Sequence, residues 1–362
     1  MKRKVFNVKK FILFLFFLCL IIGFAGFGVY GYLLSGSKDN ESVTIHVDEG
    51  GTYSSIASTL KEKGLIKSEM AYKIYIKLNT PGNLEFGDYV LKKSYSVDEL
   101  VSTLEKGSVD LRKTKTVTFV EGKNMRYIIS KITENFNISE KEITGKLSSS
   151  EYLDSLINDY WFLTEDIKNK DIYYSLEGYL FPDTYEFYES ADVDDIFRSM
   201  LNNMDKKLEK YKEEVQKSKY SIHEMMTLAS IIELEAGAST DRKGVAGVFY
   251  NRLNKGWSLG SDVTTYYAEK IDNWSRDLKQ SELSSCNNYN TRSSCMAGKL
   301  PVSPICNPGI SSIEAAIEPT NHNYYYFVAD KNGKTYFTKT DAEHVSKVRE
   351  LKRNGLWIEY QN

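Results

Sequence analysis

The 362-residue chain has 47 Lys and Arg, 49 Asp and Glu, and a formal net charge of -2 at pH 7. This length can bury a sizeable core and is typical of two or more folded units. Five of the first ten residues are basic and none is acidic, so the rest of the chain is net negative. That balance argues against a nucleic-acid partner, which favours a basic patch on the folded part.

An uncharged apolar stretch, residues 11–34, follows the basic tail of residues 1–10. It is long enough to cross the hydrocarbon core of a bilayer, about 30 Å thick, as one helix. The basic residues before it and the polar linker after it, residues 35–42, predict a cytoplasmic N-terminus. The alternative is a cleaved signal peptide, but the run exceeds a usual h-region and no A-x-A site follows. We therefore expect a single-pass cell-membrane protein whose folded part is extracytoplasmic.

The next stretch, residues 43–113, alternates strand and helix patterns and predicts a small α+β module. "VTIHV" and "GDYVL" are typical of strands, and helices are expected to start at Ser68 and Ser96. Residues 117–132 repeat the order of strand, acidic-glycine turn and amphipathic helix. This repeat opens either a second domain or a second copy of the module. We assign residues 114–362 to one larger α+β domain.

Within that domain, the Pro-containing segment of residues 177–187 predicts a structured loop that runs into a strand or helix. Ser221 and Glu224 form a capping-box pattern that opens a helix, with Gly237 as its stop. A second helix is expected over residues 241–254. Two aromatic-rich runs around an Asn-Gly pair predict a hairpin, and a closing helix follows.

The cysteines and histidines do not have the spacing of a metal site. Cys286, Cys295 and Cys306 fall in one loop-like region, where Cys286–Cys295 is the nearest pair for a disulfide outside the cytoplasm. Cys19 lies in the apolar stretch. The histidines are scattered along the chain: His46, His223, His322 and His344. We expect no metal and no other cofactor.

Two glutamates interrupt the apolar sequence "LASIIELEAG". At helical spacing Glu233 continues the row of Ile222, Met226 and Ala229, whereas Glu235 lies about 200° further round. Apolar surroundings raise the pKa of a carboxyl group, so that it holds a proton it can deliver to a leaving group. Glu233 is therefore the candidate general acid.

Each glutamate also has a structural alternative. Glu233 can instead bond to a backbone amide near the helix end or to a nearby arginine, for which Arg242 and Arg252 are the candidates, because ion pairs also perturb carboxyl groups. Glu235, near the helix end, is interpreted as a capping or salt-bridge residue.

The order of motifs from residue 177 onward resembles the YceG-like family, the membrane-bound endolytic murein transglycosylases. The motifs are "EGYLFPDTYEF", "ASIIELEAG", "RKGVAGVFYNRL", "GKLPVSPICNPGISSIEAAIEP" and "GKTYFTKTDAEH". The resemblance covers essentially the whole extracytoplasmic part. It implies an N-terminal membrane helix, a LysM-like α+β module over residues 43–113 and an α+β catalytic domain over residues 114–362. It also implies cleavage of the peptidoglycan glycan strand with a 1,6-anhydro-MurNAc end, and it makes Glu233 the catalytic residue.

The resemblance brings further candidates for the cleft. Asp262 and Thr264 match the family's "DPT" motif, in which Val263 replaces the proline. The candidates for orienting the sugar or the glutamate, or for lining sugar subsites, are Glu177, Tyr179, Asp262, Thr264 and Asn307.

A lytic transglycosylase can use one carboxyl group as acid and then as base, whereas a glycosidase needs two carboxyl groups. One alternative is therefore a hydrolytic muramidase with Asp262 or Glu177 as the second carboxylate. Another is a non-catalytic cell-wall-binding or divisome scaffold. The expected partners are peptidoglycan strands and, through one helix, membrane lipid. The family further implies action on nascent glycan, ending its elongation, and contact with glycan synthases or with divisome or elongasome proteins.

Overall fold

The structure is a computed structural model that describes residue 17 and residues 26–108, 113–237, 240–272 and 276–357. The predicted cytoplasmic tail and most of the predicted membrane helix over residues 11–34 lie outside the described residues. Residues 26–34, at the end of that stretch, are helical. Within the described part of the chain, no helix has both the length and the apolar character needed to span a bilayer.

The chain divides into two compact units, Met1–Thr114 and Lys115–Asn362. The N-terminal unit has a two-stranded antiparallel sheet of β1 (Ser42–Val47) and β2 (Gly87–Lys92), in which Ile45 faces Tyr89. Among the described residues after the sheet begins, its helices are α1 (Ala57–Glu62), α2 (Glu69–Asn79) and α3 (Val97–Glu105). The predicted strands and serine caps are confirmed, since Ser68 and Ser96 accept hydrogen bonds from the first turns of α2 and α3. Helices and strands thus share one core.

The C-terminal unit opens with β3 (Thr114–Thr118), which pairs with β4 (Thr184–Tyr188). The repeated strand-turn-helix pattern does not form a second copy of the N-terminal module, because three α-helices and a 3₁₀ helix lie between β3 and β4, whereas two α-helices lie between β1 and β2. The helices of this half, in chain order, are α4 (Met125–Asn135), α5 (Glu140–Ser148), α6 (Ser150–Asp159) and α7 (Val193–Leu208). A short 3₁₀ helix, Glu165–Lys168, follows α6.

The second half of this unit is mainly helical, with a hairpin before its last helix. Its helices are α8 (Lys212–Lys217), α9 (Ile222–Glu235), α10 (Arg242–Asn254), α11 (Asp262–Ala268), α12 (Gln280–Ser284), α13 (Ile310–Ile317) and α14 (Asp341–Arg353). A 3₁₀ segment, Glu209–Tyr211, precedes α8, and another, Ser294–Met296, lies between α12 and α13. The predicted hairpin is confirmed as β5 (Tyr326–Ala329) paired with β6 (Thr335–Thr338). The mixed α+β class holds for both units.

Helix α9 lies at the centre of the C-terminal unit. Its predicted capping box is confirmed, because Ser221 Oγ accepts from Glu224 N and the Glu224 carboxylate accepts from Ser221 N. The helix is buried on nearly every side between Ile222 and Ile232, not along one stripe. A helix that is apolar all round is a core helix. It ends at Glu235 with Ala236 as an extended cap, directly before the predicted stop at Gly237, which does not adopt a positive φ.

Candidate active site

Glu233 lies near the C-terminal end of α9, where that helix packs against α13. Its Oε2 accepts two hydrogen bonds, from Gly309 N at 3.0 Å and from Ser312 Oγ at 2.7 Å. Gly309 is the N-cap of α13 and Ser312 is its third residue. The first N–H groups of a helix have no partner within the helix, so a carboxylate placed there satisfies one of them. Among the described residues no donor reaches Glu233 Oε1, which leaves that oxygen available to a substrate.

The structural alternative for Glu233 named a backbone amide or an arginine as its partner. The backbone amide is present, because Gly309 N donates to Glu233. Arg242 acts on Glu233 only through Ser312. Arg242 Nε donates to Ser312 Oγ at 3.1 Å, and its guanidinium also approaches Ala236 O at 3.4 Å. Arg252 donates instead to the carbonyl oxygens of Tyr325 and Leu259. Within the described part of the chain, neither arginine forms an ion pair with Glu233. The direct arginine partner is therefore not realised, and Arg242 holds the serine that holds the glutamate.

A second carboxyl group, that of Glu121, packs against the same turn, and no sequence pattern indicates it as a site residue. A Cβ placed on Gly309 would lie 2.2 Å from Glu121 Oε1 and 2.5 Å from Oε2, so that carboxyl group packs directly against the glycine. A Cβ on Gly122 would lie 3.6 Å from Glu233 Cγ. Burial and the charge of Glu233 raise the pKa of Glu121, while Arg242 opposes the shift. The two acids thus converge on Gly309.

Asn307 joins the three loops around these acids. Its Oδ1 accepts from Gly178 N at 3.0 Å and Leu180 N at 3.1 Å. Its Nδ2 donates to Lys123 O at 3.2 Å and to Glu177 Oε1 at 3.3 Å. The side chain is fully buried. A buried amide with all these partners orients loops and does not contact a sugar; it fixes the turn that presents Glu121.

Glu177, which accepts the hydrogen bond from Asn307, is buried. Its Oε2 accepts from Met125 N at 2.9 Å and from the Tyr267 hydroxyl at 3.0 Å. Burial raises the pKa of Glu177 to about 7, and these two hydrogen bonds partly oppose the shift. A carboxyl group with 1 % exposure cannot face a cleft. Glu177 is therefore not the second carboxylate of the hydrolytic alternative.

The family model described as the YceG-like family matches residues 45–350. The chain belongs to the YceG-like family. A protein of Bacillus subtilis named endolytic murein transglycosylase is 37% identical over 330 residues, covering 90% of this chain and 89% of its own. A protein of the same name from Streptococcus pneumoniae D39 is 31% identical over 364 residues, covering 95% of this chain and 65% of its own. A crystal structure of a yceG-like protein from Listeria monocytogenes superposes with a TM-score of 0.59 at 32% identity, covering 85% of this chain and 99% of that one.

In this YceG-like chain Tyr179 lies in the core. It is fully buried, its hydroxyl group is 2.7 Å from His223 Nδ1, and its ring stacks on Phe162. The expectation that Tyr179 lines a sugar subsite is therefore corrected: the proline loop packs its aromatic residues inward, where they bury more apolar area. Its role is to anchor the loop that carries Glu177.

The Asp262–Thr264 motif of the YceG-like chain lies on the other side of α9 from Glu233. Asp262 is exposed and forms an ion pair with Arg292 at 3.3 Å. Thr264 is fully buried and donates to Ser261 O at 2.7 Å, so it shapes the start of α11. Ser261 Oγ donates in turn to Glu235 Oε1 at 2.5 Å, and burial raises the pKa of Glu235. The predicted separation of the two glutamates is confirmed by these different partners.

Cys286 and Cys295 form the disulfide that their spacing allowed. Cys306 is a buried free thiol whose Sγ donates to Ser230 O at 3.3 Å. Over the described ranges, no group of three His, Cys, Asp or Glu side chains could hold a metal ion.

Two cavities of about 440 and 290 Å³ lie elsewhere in the C-terminal unit, lined by residues around Tyr174 and Tyr220 respectively. Glu233 lines neither of them. The site is thus identified by its convergent acids and donors and not by the depth of a pocket.

Proposed function

We propose that this chain is an endolytic peptidoglycan lytic transglycosylase that cuts the bond between MurNAc and GlcNAc without water and leaves a 1,6-anhydro-MurNAc end. The observation that carries the proposal is the Glu233 carboxyl group, with Oε2 held by Gly309 and Ser312 and Oε1 unbonded. The names of the relatives from Bacillus and Streptococcus support the same reaction.

In the mechanism, protonated Glu233 gives its proton from Oε1 to the glycosidic oxygen as the bond to C1 of MurNAc breaks. The resulting carboxylate then accepts the proton of the C6 hydroxyl group of the same sugar, and O6 bonds to C1. The enzyme ends in its starting protonation state, and no water is consumed. Gly309 N and Ser312 Oγ hold Oε2 throughout, so the carboxylate forms in a site already oriented for it.

The surrounding residues have positioning roles in this proposal. Asn307 and Glu177 keep the loops of the site in register through buried hydrogen bonds. Asp262 is exposed at the start of α11, where its contact with the glycan strand stays a prediction. Thr264 is buried and stabilises the start of α11 through its hydrogen bond to Ser261 O.

Digestion of purified glycan strands by the detergent-solubilised chain and by Glu233→Gln tests the reaction. We expect anhydro-ended products from the parent chain and a loss of at least about a thousandfold in rate for the variant, because acid and base are both removed. Mass spectrometry of the product ends makes the measurement. Unchanged digestion by Glu233→Gln would remove Glu233 from the reaction, and absence of digestion by the parent chain would favour the wall-binding scaffold.

A hydrolytic muramidase is the second candidate, and the position of Glu121 is the observation that favours it. Glycosidases place two carboxyl groups around the scissile bond, and Glu121 supplies a second one beside Gly309. In a hydrolase Glu121 would serve as base or nucleophile, and products would carry reducing ends. In a transglycosylase Glu121→Gln alters the rate but leaves the anhydro ends. Analysis of the product ends from the parent chain and from Glu121→Gln distinguishes the two reactions, because a hydrolase gives reducing ends and a transglycosylase gives anhydro ends.

We further propose that residues 11–34 anchor the chain in the cell membrane, with its N-terminus cytoplasmic and its folded units extracytoplasmic. The uncharged length of that segment and the basic tail before it support this arrangement. The N-terminal unit, built as a LysM-like α+β module, would then hold glycan near the bilayer, where nascent strands emerge. An enzyme placed there would cut nascent glycan and end its elongation. Co-purification after crosslinking tests contact with glycan synthases and with divisome or elongasome proteins, and repeated absence would count against it.

A further inference from the structure

Helix α2 of the N-terminal unit has an apolar stripe that faces solvent. Met70, Ile74 and Leu78 recur every fourth residue, so they form one row on the helix, and they are 74%, 44% and 72% exposed. The opposite face of α2 is buried through Ala71 and Tyr72. Three large apolar side chains in a row on an exposed helix face mark an interaction surface.

Basic side chains lie between these apolar residues. Lys73 and Lys77 are exposed on the same side of α2. Lys73 approaches Glu69 at 3.6 Å with both groups about half exposed, so its charge remains accessible to a partner. An apolar row with lysines beside it is typical of a helix that lies in a membrane interface, where the lysines reach anionic headgroups.

The end of the apolar segment of residues 11–34 is held beside the start of α2. Lys67, the residue before the Ser68 cap, donates from Nζ to Ser35 Oγ at 2.7 Å and to Tyr32 O at 3.3 Å. The same Nζ lies 4.2 Å from the centre of the Tyr32 ring. Leu34 packs against the core of the N-terminal unit. These contacts hold the C-terminal end of the apolar segment next to the N-terminus of α2.

The length of that segment sets the depth of these contacts. A helix of 24 residues is about 36 Å long, slightly more than the hydrocarbon core of a bilayer. Tyr32 and Leu34 at its end therefore reach the headgroup layer, where tyrosine is enriched. Because Lys67 bonds to this end directly, α2 begins at the same depth.

We propose that the Met70–Ile74–Leu78 row lies in the headgroup region of the membrane that anchors the chain, with Lys73 and Lys77 against anionic phospholipid. The inference rests on the proposed anchorage by residues 11–34. It assigns a lipid surface as the partner of this helix face. Its consequence is that the N-terminal unit is held against the bilayer and does not swing on its eight-residue linker.

Fluorescence quenching in vesicles tests this placement. The full chain, Ile74→Trp and Val345→Trp are reconstituted in phosphatidylcholine–phosphatidylglycerol vesicles, with or without brominated acyl chains. Val345 is a matched control because it is an exposed apolar helix residue, 36% exposed, in the other unit. We expect brominated lipid to quench the added tryptophan of Ile74→Trp and to leave that of Val345→Trp unquenched. Replacing Lys73 and Lys77 by Gln in the Ile74→Trp chain should weaken the quenching.

Three results would overturn the inference. Absence of quenching for Ile74→Trp, with emission typical of a solvent-exposed tryptophan, would show that α2 does not contact the membrane. A blue-shifted emission of Ile74→Trp without quenching would assign the row to a protein partner, such as a second copy. If the chain does not float with vesicles, the proposed anchorage by residues 11–34 is contradicted as well. The substituted residues lie outside the groups that hold Glu233, so loss of glycan cleavage by the parent chain in detergent would instead contradict the proposed reaction.

Discussion

At the scale of single residues, the chemistry depends on how one oxygen of Glu233 is held. Both of its donors come from the first turn of α13, and one of them, Ser312, is itself held by Arg242. The glutamate and its donors are 76 and 79 residues apart in sequence. The orientation of the candidate acid is therefore a tertiary property.

Ser312→Ala removes the hydroxyl group that donates to Glu233 Oε2. Hydrogen bonds to charged groups are worth about 1.5–3 kcal/mol, so we expect kcat to fall by about tenfold or more while the fold is kept. Ser311→Ala is the matched control, because Ser311 is the exposed neighbour on the same helix. Steady-state rates of glycan cleavage make the comparison. Equal losses for the two variants would contradict the role of the Ser312 bond.

Glu177 should make stability depend on pH. Its pKa is raised from the ordinary 4.5 to about 7 by burial, so the native state binds this proton more tightly than the unfolded state. Its contribution therefore favours folding below about pH 4.5 and is lost as pH rises through about 7, by ~3 kcal/mol in all. Urea unfolding at about pH 5 and about pH 8 should show a larger loss for the parent than for Glu177→Gln. An identical loss of unfolding free energy in the parent and in Glu177→Gln would contradict the raised pKa of Glu177.

At the scale of elements, two glycines in α10 allow other segments to pack directly against the backbone of that helix. A Cβ on Gly244 would lie 2.4 Å from Phe337 Cζ, and one on Gly247 would lie 2.3 Å from Thr320 O. The hairpin and the segment after α13 therefore pack directly on the backbone of α10. This closeness also keeps α13, which bonds to Glu233, in its place beside α9 and α10.

Gly247→Ala should destabilise the protein by ~1–3 kcal/mol, because the added methyl group meets a backbone oxygen that cannot rotate away. Gly145→Ala is the control: Gly145 lies in the exposed part of α5 with nothing within 4 Å of the new Cβ. A gain of about 0.5–1 kcal/mol is expected there from the higher helix propensity of alanine. Chemical unfolding of both variants measures the difference, and a loss of similar size in both would be evidence against the packing argument.

At the scale of the whole molecule, the two compact units each bury their own apolar core. Gly309, Ser312 and Arg242, which hold Glu233 directly or through Ser312, and Glu121 all lie in the C-terminal unit. Units of this size with separate cores fold on their own. The reaction and the proposed membrane contact therefore belong to different units.

A fragment that starts at Lys115 should fold and cut purified glycan strands in solution at a rate close to that of the detergent-solubilised full chain. Its cooperative unfolding and its anhydro-ended products are the two measurements. The same fragment carrying Glu233→Gln is the control. A folded fragment without activity would show that the N-terminal unit contributes to the site.

Local features could be predicted because their causes lie within a few residues. The Ser221–Glu224 capping box, the Asn-Gly hairpin and the opposite directions of Glu233 and Glu235 follow from spacing alone, and the structure confirms them. Glu121 was missed for the opposite reason. Its turn was recognised, but nothing in its own neighbourhood indicates that it meets Gly309, nearly two hundred residues later.

By itself, the sequence determined that this chain has an apolar N-terminal segment, α+β units and a glutamate set into a core helix. Periodicity and capping are enough for that, because they express forces between near neighbours. Only the tertiary structure decided that Tyr179 and Glu177 are buried, that Arg242 acts through Ser312, and that Glu121 faces Glu233. Burial and charge proximity depend on which distant segments pack together, and no local pattern specifies that.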